Sequence, residues 1–203
     1  VRAVVDATSG AADTTLFGLS SGAVIALEAA RTLPGIRRLA VYEPPFYRDG
    51  IDRTAVARLH ADLDRGALGA ALVDSLLAAG TAPTAVRRLP RPVARTLARG
   101  VIAVDDVVRR RRQTFRRLLP GVRYDFHDVA QVDGRLDTFA AIDVPVLLLR
   151  GTASPAFLRD AVDRLQAVLP DSAVVDLDGL GHDGPWNGGG PEHVARTLLD
   201  RGW

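Results

Sequence analysis

Ser20 stands in Gly18-Leu19-Ser20-Ser21-Gly22, directly after an apolar run at residues 14–19 and directly before an almost wholly apolar stretch at 21–33. A Gly-x-Ser-x-Gly pentad alone is weak evidence. Between a strand and a helix it is specific, because a sharp strand-to-helix turn lifts a serine hydroxyl out of a parallel sheet. Gly18 and Gly22 are expected to remove Cβ atoms that would collide where strand and helix cross. The context predicts Ser20 as a catalytic nucleophile. A serine hydroxyl is a poor nucleophile at neutral pH and needs a base within hydrogen-bond reach, itself oriented by an acid.

Four histidines could be that base: His60, His127, His182 and His193. His60 and His127 fall in a stretch of helical pattern, and His193 in a closing helix where an exposed polar position accounts for it. His182 alone follows a strand end in a glycine-rich loop, Gly179-Leu180-Gly181-His182. Parallel α/β sheets place their sites at the C-terminal ends of strands, so His182 is the expected base.

The scaffold around these groups follows from periodicity and punctuation. Residues 1–8 read as the end of an amphipathic helix and 9–13 as a turn. Residues 14–19 read as a buried strand and 21–33 as a buried helix, stopped by Pro34-Gly35. Residues 36–42 form a second strand. From there to about residue 143 only helical segments are legible, punctuated by Gly66, Gly80, Pro83, Pro90, Pro92, Gly100 and Pro120. Within them, Val104, Val107, Val108, Phe115, Leu118 and Leu119 fall on one face of a helix spanning 104–119. A strand resumes at 146–149. Ser154-Pro155 predicts a helix start, with serine as N-cap and proline at the first helical position. A strand at 173–177 and a helix at 192–201 close the chain. Strands alternating with helices predict an α/β fold with a parallel sheet and flanking helices, the core at 1–46 and 143–203, and an all-helical cap inserted at 47–142.

Composition excludes several classes. The 203 residues suffice for one domain with a sizeable core, and 47% hydrophobic with 25% charged residues is an ordinary globular balance. No apolar run approaches the ~20 residues of a membrane span, and no secretory signal pattern opens the chain. Cysteine is absent, which excludes disulfides and Cys-ligated metals and fits a cytoplasmic protein. All 26 basic residues are arginine, which points to a GC-rich, bacterial coding sequence. The formal net charge is only +2, so the high isoelectric point reflects arginine and does not imply nucleic-acid binding. Arg109 to Arg112 with Arg116 and Arg117 make a basic cluster, read as a solvated helix face. Gly188-Gly189-Gly190 lacks the Lys and Ser/Thr of a phosphate loop and reads as a flexible linker.

Taken together, four motifs resemble the α/β-hydrolase superfamily, in the sub-type with a helical cap after the sixth strand. Gly18-Leu19-Ser20-Ser21-Gly22 is similar to its nucleophile elbow, and Tyr42-Glu43-Pro44-Pro45-Phe46 to the strand end that leads into the cap. Val144-Pro145-Val146-Leu147-Leu148-Leu149-Arg150-Gly151 is similar to the next strand, and Gly179-Leu180-Gly181-His182 to the catalytic-histidine loop. The resemblance implies an acid between Ser20 and His182 in chain order. Most members carry it as Gly-x-x-Asp after the strand that here ends at Gly151, but this chain reads Gly151-Thr152-Ala153-Ser154. Some members, including certain haloalkane dehalogenases, take the acid from the end of the preceding strand, where Glu43 stands here. Glu43 is therefore the favoured acid, with Asp160 as the alternative; a turn-capping carboxylate is the plainer role for Glu43. Asp178 and Asp183 lie too near His182 in sequence to orient it easily.

The implied activity is a serine hydrolase acting on a small-molecule ester, or an amide, through an acyl-enzyme, with no cofactor or metal. Ser21 would give its backbone N–H to the oxyanion. Acyl transfer or perhydrolysis on the same triad, and a non-catalytic binding remnant of the fold, are the alternatives. No nucleic-acid or membrane partner is expected. Family members begin with further strands and an oxyanion-hole loop, and this chain contains no methionine. Both lead to the expectation of an N-terminally incomplete chain that is aggregation-prone and nearly inactive alone.

Overall fold

The computed structural model describes residues 1–8, 14–109 and 114–203. In chain order the elements are α1 (Arg2–Thr8), β1 (Thr14–Leu19), α2 (Ser21–Thr32), β2 (Ile36–Tyr42), α3 (Arg53–Asp64), α4 (Leu68–Ala78), α5 (Thr84–Arg88), α6 (Arg91–Val108), α7 (Phe115–Leu118), α8 (Val122–Gln131), β3 (Val146–Gly151), α9 (Ala156–Val168), β4 (Ser172–Leu177) and α10 (Pro191–Asp200). Short 3-10 turns lie at Leu119–Gly121 and Leu136–Ala141. The expected turn at 9–13 and Arg110, Arg111 and Arg112 of the basic cluster lie outside the described residues. The chain divides into two compact units: Val1–Gly50 with Gln131–Trp203, and Ile51–Ala130.

The first unit is built on a four-stranded parallel sheet in the order β1-β2-β3-β4. β2 and β3 are the central strands and the most buried, with Leu39, Val41, Tyr42, Leu148 and Leu149 fully enclosed. Alternate residues point to opposite faces of a sheet. Ala40, Tyr42, Leu147, Leu149 and Leu177 accordingly share one face, where Val194 of α10, Leu198 and Trp203 pack against them. α2 buries Ala23, Val24, Ala26, Leu27, Ala29 and Ala30, and α9 buries Leu158, Ala161, Val162 and Leu165. Each enclosed leucine contributes roughly 1.5–3 kcal/mol relative to exposure.

Some elements differ from what their sequence leads one to expect. β1 is not a buried strand: Thr15 and Phe17 are exposed, because β1 lies at the edge of the described sheet with β2 as its ladder partner. Ser154 is not the N-cap of α9. The cap position falls on Pro155, and the Ser154 hydroxyl is buried without a hydrogen-bond partner. Gly188-Gly189-Gly190 is not a loose linker, since Gly189 N–H donates to Trp186 C=O and Gly190 N–H to Gly184 C=O, each at 2.8 Å.

The second unit is all-helical among its described residues. Asp52 caps α3 by accepting the Ala55 N–H at 2.9 Å. Val73 of α4 packs with Ala94 and Ala98 of α6, supported by Leu72, Leu77, Val86 and Leu89. The buried Asp74 carboxylate is paired with Arg91 and Arg95, and the buried Asp62 with Arg65. The single helix expected over 104–119 is broken. α6 ends at Val108, and the Asp105 carboxylate accepts the Phe115 N–H at 2.7 Å, which starts a separate short helix. Val104, Val107 and Val108 are more than half exposed, because the face of α6 that packs carries Ala94, Ala98 and Ile102. No helix among the described residues is long and apolar enough to cross a membrane.

Candidate active site

Three strand ends of the first unit supply the site. β1 runs into α2 through Ser20 alone, which adopts φ 56° and ψ −123°. A non-glycine residue held there costs of order 1–3 kcal/mol. The turn is fixed on both sides. Ser20 N–H donates to Tyr42 C=O at 2.9 Å, and Ser20 C=O accepts the Ala23 N–H at 2.9 Å. Gly18 is required by close approach: a Cβ there would lie 2.5 Å from the Gly22 carbonyl oxygen and 2.6 Å from Ala23 Cα. Gly22 does not share that constraint, since its Cβ direction is open for 4 Å. Ser21 opens α2, where first-turn N–H groups point out of the helix end.

Glu43 follows β2 immediately and also has positive φ, 47°. Its N–H donates to Leu149 C=O at 3.1 Å, which prolongs the β2–β3 ladder by one residue. The side chain is fully buried. Its Oε1 accepts the Gly151 N–H at 2.7 Å, and its Oε2 lies 2.7 Å from His182 Nδ1. His182 sits in the loop after β4, with its side chain about a quarter exposed. Its Nε2 is 3.1 Å from Ser20 Oγ.

The chemistry follows from the donor and acceptor inventory. An ionised carboxylate only accepts, so Nδ1 carries the ring proton and donates to Glu43; Nε2 is then free to accept from the Ser20 hydroxyl. This is the arrangement in which a serine can lose its proton to an imidazole held in one tautomer. The structure thus brings Ser20, His182 and Glu43 together.

It does not bring Asp160 into that group. Asp160 lies on α9, paired with Arg48 and, at 3.0 Å, with Arg164. Those guanidiniums, Arg48 foremost, hold its carboxyl below the usual carboxylate range. Asp178 accepts the Thr152 hydroxyl at 3.1 Å. Of the other histidines, His60 is on α3 with a buried, unpartnered Nε2, His127 is on α8 and His193 on α10. Arg109 pairs with Asp105 and Arg116 with Asp106, while the Arg117 side chain is exposed. Among the described residues no group of three or more His, Asp or Glu side chains is arranged to hold a metal ion.

Sequence reasoning missed the Gly151 N–H as a partner of Glu43. The signal lies in the register: Tyr42 aligns with Leu149 across the parallel pair, so the residue after Tyr42 reaches the end of β3.

No protein-family model and no curated protein matches the chain. Solved structures do. An α/β hydrolase from Sphaerobacter thermophilus DSM 20745 superimposes at TM-score 0.68 with 26% identity, over 98% of this chain and 70% of that one. The chain belongs to the α/β-hydrolase superfamily. Two more distant hydrolase-fold structures share the architecture. MenH from S. aureus matches at TM-score 0.55 and 19% identity, over 92% of this chain and 66% of that one. A thermophilic esterase from Thermogutta terrifontis matches at TM-score 0.58 and 15% identity, over 93% and 64%. The four-stranded parallel sheet with flanking helices is this hydrolase fold over the part the chain spans.

Proposed function

We propose that this α/β hydrolase is a serine hydrolase that cleaves a small-molecule carboxylic ester through an acyl-enzyme. The observation that carries the reading is the unbroken relay from Ser20 Oγ to His182 Nε2 at 3.1 Å and from His182 Nδ1 to Glu43 Oε2 at 2.7 Å. The strained backbone of Ser20 supports it, since strain concentrates where a side chain must be presented.

In the proposed reaction Ser20 Oγ bonds to the carbonyl carbon while His182 Nε2 takes the hydroxyl proton. The Ser21 N–H at the start of α2 contributes one hydrogen bond to the oxyanion. Collapse breaks the bond to the leaving alcohol, which receives the proton from His182. Water repeats the route and releases the acid. Glu43 holds the imidazole tautomer and steadies the imidazolium. The helical unit, inserted in the chain between β2 and β3, is proposed as the cap that selects substrate.

The test is pre-steady-state hydrolysis of p-nitrophenyl acetate. A burst of nitrophenol approaching one equivalent, followed by slower turnover, is expected. Turnover unaffected by Ser20→Ala would exclude the reading.

A further inference from the structure

One residue is tied to Ser20, to Glu43 and to the residue before His182. Tyr42 is the last residue of β2 and is fully buried. Its carbonyl accepts the Ser20 N–H at 2.9 Å. Its peptide bond leads directly to Glu43. Its phenol donates to the Gly181 carbonyl at 2.6 Å, one residue before His182. We propose that Tyr42 is the positioning residue of this site: its hydroxyl pins the His182 loop to the strand that carries Glu43, and so sets the imidazole between Ser20 and Glu43. This rests on the serine-hydrolase reading above.

The ring alone does not account for a tyrosine. It packs with Ala40, Leu147, Leu149, Leu177 and Val194, a role phenylalanine would fill. A buried hydroxyl left unbonded is costly, so its partner matters, and that partner is the loop that carries His182. The loop is shaped around the hydroxyl. A Cβ at Gly184 would lie 2.6 Å from Tyr42 Oη, so the chain closes over the phenol only with glycine there. The phenol also stays a donor. Burial, and then the carboxylates of Glu43 and Asp183, push its ionisation well above the usual tyrosine range. A neutral O–H pointing at a carbonyl is a latch that does not open with physiological pH.

The consequence is a split between chemistry and binding. Without the hydroxyl, the loop loses its tie and the imidazole samples positions away from Ser20 and Glu43. Misplacement by about 1 Å can cost ~10²-fold in rate. Tyr42 does not itself touch the reacting atoms.

The experiment compares Tyr42→Phe with the unaltered protein by three readouts: thermal melting, ester hydrolysis, and the low-field proton resonance of the His182 Nδ1–H bound to Glu43. Tyr42→Phe is expected to melt within a few degrees of the parent and to lower kcat ~10–100-fold with KM within twofold. It should also shift or broaden the low-field proton. Gly184→Ala, which presses on the same hydroxyl from the loop side, should give the same signature. A Tyr42→Phe protein with parental kcat and an unmoved resonance would overturn the proposal, as would one that merely melts lower. The resonance needs no turnover. A parent protein that hydrolyses no ester would count against the hydrolase reading, while a moved resonance in Tyr42→Phe would still establish the latch.

Discussion

Replacing Glu43 by glutamine tests the proposed acid with minimal disturbance of shape. The carboxylate is fully buried and makes two 2.7 Å contacts, one from the Gly151 N–H and one with His182 Nδ1. A glutamine keeps the volume, and its carbonyl oxygen can go on accepting from Gly151. Its NH2 group then faces Nδ1. Two donors cannot share one bond, so the imidazole must place its proton on Nε2, pointing at Ser20 Oγ, where it cannot act as a base. The loss of a triad carboxylate through the wrong tautomer costs ~10⁴ in kcat, or about 5.4 kcal/mol at 1.36 kcal/mol per decade. The assay is steady-state hydrolysis of a p-nitrophenyl ester alongside a thermal melt. Glu43→Gln is expected to fall by about 10³–10⁴ in kcat while still melting cooperatively. A Glu43→Gln protein within tenfold of the parent would return the carboxylate to a turn-capping role.

Further expectations follow from the same geometry. Asp160→Asn should leave kcat within about twofold, because its carboxylate serves Arg48 and Arg164 at the surface, where ion pairs contribute little; a crippled Asp160→Asn would reassign the acid. Gly18→Ala should destabilise by about 1–3 kcal/mol, a fall of about 3–10 °C in Tm, since its Cβ meets the backbone of Gly22 and Ala23. Gly22→Ala, with open space at its Cβ, should melt like the parent, and equal losses at both positions would contradict the elbow packing. Burial, together with the adjoining Asp74 carboxyl, holds Asp62 above the usual carboxylate range. The folded protein therefore binds that proton more tightly than the unfolded chain does. Stability from this group is present below the unfolded value near 3.9 and is lost as pH rises through the higher folded one. Melting against pH should show Asp62→Asn with that part of the slope removed; an unchanged slope would place the effect elsewhere.

The sheet and the elbow were legible because each carries a local signal. The runs at Thr14–Leu19 and Ile36–Tyr42 are short, apolar and closed by glycine or proline, and both are strands in the structure. Ser20 could be placed because a five-residue pattern fell between two such elements. His182 was found by its place after a strand. What escaped depends on contacts far apart in the chain. The exposure of Phe17 depends on the strand order, which no local pattern encodes. The break after Val108 depends on Asp105 reaching the Phe115 N–H. Ser154 followed by proline has the composition of a cap, yet its hydroxyl caps nothing. Glu43 illustrates both sides. A lone carboxylate at a strand end is ambiguous in sequence; its pairing with His182 spans 139 residues and needs three strand ends side by side.

Intact-protein mass spectrometry after treatment with a fluorophosphonate reports whether Ser20 is activated, whatever the natural ester is. One adduct per chain is expected, mapped to Ser20 by peptide sequencing, absent in Ser20→Ala and strongly slowed in His182→Ala. Adduct formation at full extent in Ser20→Ala, or labelling of Ser20 at the same rate without His182, would overturn the pairing of Ser20 as nucleophile with His182 as base.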